Sequence, residues 1–274
     1  MTSPTTLSTL IPVITAIGGV FGLLIGSFLN VVIWRVPQGM SIVHPPSACP
    51  QCGTRIAWYD NIPVLSYLVL LGRCRHCSAH ISVRYPLVEF ATGVFFAVLT
   101  FGALADWWPL EVLPALLYLA AISVALFLID LDTRRLPDVI VLSSYFVCGA
   151  LLVLASVLLG DGGALLQAAI GGVALFMFYL IMAMIYPGGM GGGDVKLAGL
   201  LGMCLGWFGW GALIVGAFAA FVIGGVVGVV LMIGRRATRK TAIPFGPSML
   251  VGAWLGIFAG SAIADFYLTT VGLA

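Results

Sequence analysis

Charged side chains are scarce in this chain of 274 residues, which has only 12 Lys and Arg and 10 Asp and Glu. Hydrophobic residues make up 61% of the sequence. One water-soluble core could not bury that much apolar surface, so a soluble globular domain is excluded and an integral membrane protein is indicated. With so few basic residues and a net charge of only +2, we expect no nucleic-acid partner.

Other common signals are also missing. The sequence has no repeat of fixed period and no low-complexity tract. The first apolar segment has neither a basic leading region nor a small-residue cleavage site. We therefore expect that segment to be retained as a membrane helix and not removed as a signal peptide.

The hydrophobic runs are long and continuous. Spanning structures in lipid must satisfy their own backbone hydrogen bonds, and a helix needs about 20 apolar residues to cross. We predict an all-α polytopic membrane protein with about eight transmembrane helices, the sixth of them unusually short. The predicted spans are Leu10–Trp34, Tyr85–Ala103, Pro109–Ile129, Val139–Leu159, Ala164–Tyr186, Val195–Gly206, Trp210–Ile233 and Pro247–Thr270.

The distribution of Lys and Arg predicts the orientation, because basic residues in short loops stay on the cytoplasmic side. With eight spans, all 12 basic residues fall on one side, whereas deleting the sixth span would put Arg235 to Lys240 on the other. We therefore expect both termini outside the cytoplasm and the loops that carry acidic motifs on the cytoplasmic face. The basic residues are Arg35, Arg55, Arg73, Arg75, Arg84, Arg134, Arg135, Lys196, Arg235, Arg236, Arg239 and Lys240.

The sizeable polar stretch, residues 36–84, carries two Cys-x-x-Cys pairs. Four thiolates at this spacing could bind one tetrahedral Zn²⁺. Cytoplasmic thiols are held reduced, which favours a metal over disulfides or free thiols. Four protein ligands would close the site, so a structural zinc is predicted at Cys49, Cys52, Cys74 and Cys77.

Two acidic motifs stand at the ends of hydrophobic segments, where carboxylates are costly and often functional. Asp138 follows a Pro at a helix start, which is typical of a capping carboxylate, and Asp132 is expected to be solvated or ion-paired. Asp130 closes the third span, where the helix C-terminus disfavours a negative charge, and nothing structural in the sequence explains it. Asp194 could be a simple N-cap, but a cap does not explain the glycine run of residues 188–193 before it.

If Asp130 and Asp194 meet at the membrane boundary, they form an acid–base pair. We expect Asp194, at a helix N-terminus, to be the anion and Asp130 the acid. Such a pair could activate a water molecule against a peptide carbonyl and protonate the leaving amine. The motifs thus favour aspartic-protease chemistry within a membrane protein.

The order of the motifs resembles the type IV prepilin peptidases over nearly the whole chain. The resemblance is carried by the following segments: Gly26-Ser-Phe-Leu-Asn-Val-Val-Ile-Trp-Arg-Val-Pro37, the paired cysteines, Asp60-Asn-Ile-Pro-Val-Leu-Ser-Tyr67, Ile81-Ser-Val-Arg-Tyr-Pro-Leu-Val-Glu89, Asp130 to Asp138, Gly191 to Asp194, and Ile243-Pro-Phe-Gly-Pro247.

This resemblance implies a membrane aspartic endopeptidase that removes the leader peptide from prepilins and pseudopilins at the cytoplasmic face of the bacterial inner membrane. It implies Asp130 and Asp194 as the catalytic residues. Relatives with the cysteine-containing domain also methylate the new N-terminal amine with S-adenosylmethionine, so that cofactor is implied as well. Glu89 is a candidate for recognising the amine, although an ion pair with Arg84 or a position in the first helical turn would also explain it.

The sequence therefore divides into a first membrane helix (residues 1–35), a zinc-binding loop (36–84) and a membrane-embedded peptidase domain (85–274). Two other classes of function stay open. An ion-coupled transporter could use intramembrane acids, although these acids cluster at one face and the two halves of the chain do not look alike. A membrane-anchored zinc scaffold would explain the cysteines but not Asp130 and Asp194.

Overall fold

The computed structural model describes residues 4–186, 190–234 and 244–272. These ranges contain isolated β-bridges but no strand, which confirms the all-α class. Their α-helices are α1 (Pro4–Arg35), α2 (Leu65–Val69), α3 (Arg84–Leu104), α4 (Leu113–Thr133), α5 (Asp138–Leu159), α6 (Gly162–Ile185), α7 (Gly192–Trp207), α8 (Trp210–Ile233) and α9 (Gly246–Thr270).

Seven helices in the described ranges are long and apolar enough to cross a membrane: α1, α3, α4, α5, α6, α8 and α9. The predicted short sixth span corresponds to α7, which has 16 residues. At 1.5 Å per residue, such a helix covers about 24 Å of a hydrocarbon layer about 30 Å thick. The predicted eight helices are thus present, and seven have the length for a full crossing.

The orientation in the membrane stays a prediction. Arg235 to Lys240, on which the orientation argument depends, lie outside the described residues, as do Gly188 and Gly189 of the glycine run. The chain forms two compact units, residues 1–125 and 126–274, and the boundary falls within α4. The division into domains at residues 36 and 85 likewise stays a prediction.

In the first unit, α1 packs against α3 through small residues one helical turn apart. A Cβ built at Gly22 would lie 2.7 Å from the Thr92 carbonyl oxygen, and one built at Gly26 would lie 2.7 Å from the Cα of Glu89. Small residues at this spacing let helix backbones approach closely in lipid. The contact seats the second turn of α3, which carries Glu89, directly on α1.

In the second unit, α7 contacts α5, α6, α8 and α9 and is buried along most of its length. Glycines again set the approach: a Cβ built at Gly171 on α6 would lie 2.5 Å from the Gly202 carbonyl oxygen on α7. A short helix enclosed on several sides has little freedom to shift. This packing therefore fixes the N-terminal end of α7, where Asp194 lies.

Candidate active site and metal centre

Asp130 lies in the last turn of α4 and is only 4% exposed. Its Oδ2 accepts a hydrogen bond of 3.1 Å from the backbone N–H of Gly246, the first residue of α9. Nothing structural in the sequence explains a carboxylate here, but this contact does. The free N–H groups at a helix start favour a carboxylate, and this partner is 116 residues away in the chain.

Asp194 lies at the N-terminal end of α7 and is half-buried. It is not the N-cap residue, a position that Gly191 occupies. Instead Asp194 is the third helical residue, and its Oδ2 accepts a hydrogen bond of 3.0 Å from the Gly191 N–H. This is the carboxylate half of a capping box, and it orients the side chain toward the glycine segment.

The carboxylates of Asp130 and Asp194 are close enough to interact electrostatically. The Asp194 carboxylate acts electrostatically on that of Asp130. Leu136, in the connection between α4 and α5, packs beside a neighbour of each: a Cβ built at Gly193, next to Asp194, would lie 3.0 Å from its Cβ, and one at Gly246, which binds Asp130, would lie 3.4 Å from its Cδ2. The structure thus places both aspartates near Leu136, and their action as a pair stays a prediction.

An aromatic cluster lies next to this pair. Tyr179 of α6 is 2% exposed, and its ring centroid is 5.4 Å from that of Phe221 and 6.3 Å from that of Phe245. Phe245 directly precedes Gly246, and Tyr179 interacts electrostatically with Asp194. Tyr179 was not predicted as a site residue, because a tyrosine within a continuous apolar run has no distinguishing signal.

Asp138 lies in the first turn of α5, as the sequence predicts for a carboxylate at a helix start, but it is not the N-cap residue. Pro137 is the N-cap residue, without a side-chain cap, and both carboxylate oxygens of Asp138 accept hydrogen bonds of 2.8 Å from Lys196 Nζ. Lys196 follows Asp194 by two residues, so the ion pair joins the two acidic motifs. Asp132 is exposed, as expected.

Glu89 is held at the junction of α3 and the polar loop. Its Oε2 accepts a hydrogen bond of 2.7 Å from the Val64 N–H, and the Ser27 hydroxyl also binds the carboxylate. Val64 adopts φ 62° and ψ −48°, and the Leu65 N–H donates to the Pro63 carbonyl across it at 2.6 Å. A γ-turn at a β-branched residue is strained by about 1–3 kcal/mol, so Glu89 stabilises a turn that would not persist unaided.

The four loop cysteines form one cluster. Their Sγ atoms all lie within 4.8 Å of one another, and Cys49 Sγ is 3.8 Å from Cys77 Sγ. Sulfurs on a tetrahedral zinc with bonds of about 2.3 Å are separated by about 3.8 Å, so the donor set fits Zn²⁺. The two pairs fold alike, because the Gly53 N–H donates to the Cys49 carbonyl and the Ser78 N–H to the Cys74 carbonyl.

The thiols of this cluster differ in their surroundings. The pKa of the Cys52 thiol is lowered to about 6, chiefly by the Thr54 hydroxyl and then by its backbone N–H, and backbone N–H groups lower the pKa of Cys74. At Cys77 the Ala79 backbone lowers the pKa, but burial and the neighbouring thiols raise it to about 11. Thiolates are the form that binds metal. Beside the cluster, the Arg75 guanidinium donates to both oxygens of Asp60 at 2.9–3.0 Å and lowers the pKa of that carboxyl. The ion pair ties the second cysteine pair to the loop segment that precedes α2.

Comparisons with known proteins identify relatives over most of the chain. The model of the bacterial peptidase A24 N-terminal domain matches residues 20–102, and that of the type IV leader peptidase family matches residues 116–229. The prepilin leader peptidase/N-methyltransferase of Pseudomonas putida is 36% identical over 267 residues, which cover 89% of this chain and 90% of that protein.

Similarly named proteins match to the same extent. The one from Aeromonas salmonicida (strain A449) is 35% identical over 92% of both chains, and that of Neisseria gonorrhoeae is 34% identical over 94% of both. No solved structure matches the chain.

Proposed function

This chain belongs to the type IV leader peptidase family, and from that premise we propose that it removes the leader peptide of prepilins and pseudopilins and methylates the new N-terminus. It acts as a multi-pass protein of the bacterial inner membrane, with its active site toward the cytoplasm. The observation that supports the peptidase assignment is that Asp130 and Asp194 each accept a hydrogen bond from an N–H at a helix start, at two starts that both pack against Leu136, so that the carboxylates act on each other electrostatically. Two carboxylates close together can share one proton, as an acid–base pair requires.

In the peptidase step, one carboxylate is ionised and the other carries a proton. Asp194 is half-buried and lies at the start of α7, so it serves as the base that takes a proton from water. The resulting hydroxide attacks the scissile carbonyl carbon. Asp130, which is more deeply buried, donates its proton to the leaving amine as the C–N bond breaks.

Asn substitutions separate this chemistry from a structural role. The amide oxygen of Asn can still accept the N–H of Gly246 or of Gly191, so Asp130→Asn and Asp194→Asn should fold like the parent. Neither amide can act as acid or base, and cleavage should fall by at least about 10³-fold. Incubation of each purified variant with a prepilin in detergent, followed by mass spectrometry of the product, measures this loss. Cleavage at the parental rate by either variant would exclude the pair.

For the methylation step, we propose that Glu89 binds the new N-terminal amine. The described groups that interact with its carboxylate are the Val64 N–H and the Ser27 hydroxyl, and neither is a cation. A carboxylate at the membrane boundary without a neutralising cation is suited to an ammonium ligand. When bound, S-adenosylmethionine would supply the methyl group. Glu89 would hold the amine and accept one of its protons, which leaves the nitrogen lone pair free to react.

The cysteine cluster holds a structural zinc in this proposal. Cys49, Cys52, Cys74 and Cys77 would supply all four ligands, so the metal would have no open position for substrate. The metal would keep the loop folded and thereby keep the Pro63 to Leu65 turn in contact with Glu89. Metal analysis of the purified protein should give one zinc per chain. A metal-free chain with a folded loop would contradict the assignment.

A further inference from the structure

A contact between α5 and α7 lies close to Asp194 and is not explained by the catalytic pair. The Tyr145 hydroxyl on α5 donates a hydrogen bond of 2.6 Å to the backbone carbonyl of Lys196. The hydroxyl therefore binds the backbone of α7 in the turn that follows Asp194.

A glycine makes room for this hydroxyl. A Cβ built at Gly199 would overlap the Tyr145 oxygen, and Phe176 Cβ would be 3.1 Å away. Every larger residue at Gly199 would displace either the hydroxyl or α7 itself. The hydroxyl and the glycine are thus complementary, and together they determine which face of α7 turns toward α5.

The Asp138–Lys196 ion pair makes a second connection between the same two helices. Asp138 is the first residue of α5, and its connection to α4 leads back to Asp130. Both side chains are partly exposed, at 57% for Asp138 and 37% for Lys196. An exposed pair contributes little stability by itself. Its bidentate geometry instead sets the position of the first turn of α7 relative to the start of α5.

We propose that Tyr145 and the Asp138–Lys196 pair are positioning residues that hold the first turns of α7 against α5 and so keep the Asp194 carboxylate beside Asp130. Both connections start from α5, which follows Asp130 after a short loop. A single helix is therefore linked to Asp130 through the chain and to Asp194 through its contacts with α7. The effect on catalysis rests on the proposed peptidase function, whereas the effect on α7 does not.

The principal test is Tyr145→Phe, with Tyr267→Phe as the matched control because Tyr267 is 64% exposed near the end of α9. Hydrogen exchange of the zinc-loaded protein in detergent should become faster in residues 191–200 with Tyr145→Phe and stay unchanged in α6 and in the cysteine loop. With a prepilin substrate, kcat should fall by about tenfold and KM should stay within about twofold, because only the placement of a reacting group changes. Tyr267→Phe should match the parent in both measurements.

Two double variants test the geometry itself. Gly199→Ala should lower kcat more than Tyr145→Phe does, and adding Tyr145→Phe to it should recover part of the loss, because the overlapping oxygen is then gone. Asp138→Lys and Lys196→Asp should each lower kcat, and the double exchange should exceed both in activity because it restores an ion pair.

The inference would be overturned if Tyr145→Phe left hydrogen exchange in residues 191–200 unchanged. It would also be overturned if the kcat of either double variant did not exceed that of its less active single variant. If the parent protein cleaves no prepilin but Tyr145→Phe still shows faster hydrogen exchange than the parent, the proposed function is contradicted and the positioning role stays intact.

Discussion

Replacing Gly246 by Ala should displace the carboxylate of Asp130 without unfolding the protein. The new Cβ would lie 2.7 Å from Asp130 Oδ2 and 3.3 Å from its Cγ. An ordinary contact of this kind is about 3.4 Å or longer, so the oxygen must retreat by about 0.7 Å. Leu136 Cδ2 is 3.4 Å from the same Cβ and limits how far the methyl group can shift in the other direction.

The size of the effect follows from this displacement. Misplacement of a reacting group by about 1 Å lowers a rate by about 10²-fold. A shift of about 0.7 Å, with a longer hydrogen bond from the Gly246 N–H, should lower kcat by about ten- to a hundredfold. This corresponds to about 1.4–2.7 kcal/mol of transition-state stabilisation. KM should change little, because only the placement of a reacting group changes.

Gly225→Ala is the matched control, since Gly225 lies within α8 and a Cβ there would have no heavy atom within 4 Å. The gain in helix propensity on replacing an interior Gly by Ala, about 0.5–1 kcal/mol, applies to Gly225 but not to Gly246, the first residue of α9. Thermal unfolding in detergent should show both variants folded, with an unchanged or higher melting temperature for Gly225→Ala and a modestly lower one for Gly246→Ala because its hydrogen bond to Asp130 is longer. Only Gly246→Ala should lose prepilin cleavage. A Gly246→Ala enzyme with parental kcat would refute the reasoning, because the position of the Asp130 carboxylate would then not matter.

Four further changes test the remaining sites. Asp130→Ala should lower both cleavage and the melting temperature, because the Gly246 N–H loses its acceptor, whereas Asp130→Asn should lower cleavage alone; equal melting temperatures would contradict the anchoring contact. Glu89→Gln should leave cleavage intact and abolish the added methyl mass in the product, and a fully methylated product would exclude the amine site. Cys74→Ser should release zinc and expose the loop to protease while the membrane helices stay folded, as metal analysis and limited proteolysis would show. Gly26→Ala should destabilise the α1–α3 contact by about 1–3 kcal/mol, and an unchanged melting temperature would contradict the close approach.

Much of this arrangement could be predicted from local sequence signals. Long apolar runs identify membrane helices, and two Cys-x-x-Cys pairs about twenty residues apart identify a metal cluster, because both signals depend on residues close in the chain. The contacts that shape the candidate active site could not be predicted. Each of these contacts joins residues far apart in the chain. The separation is 116 residues for Gly246 and Asp130, 51 for Tyr145 and Lys196, and 58 for Lys196 and Asp138. Asp138 was predicted to be a capping carboxylate because the local signal is the preceding proline. Its ion-pair partner, Lys196, lies on α7 and is distant in the chain.

The hydrogen bonds of the two aspartates give a physical reason for an acid–base pair. Each carboxylate binds a backbone N–H at the start of a helix through its Oδ2, Asp130 at α9 and Asp194 at α7. Helix N-termini favour a negative charge at both positions, but two negative charges this close repel each other. In the proposed mechanism, one shared proton would satisfy both conditions, because the pair would then carry a single negative charge between two helix starts. The more deeply buried Asp130 is the better site for that proton, since burial disfavours the charged form most where water is least accessible. In the proposed mechanism, helix packing that holds α7 and α9 in place would also hold the pair, and glycines on both helices permit that close packing.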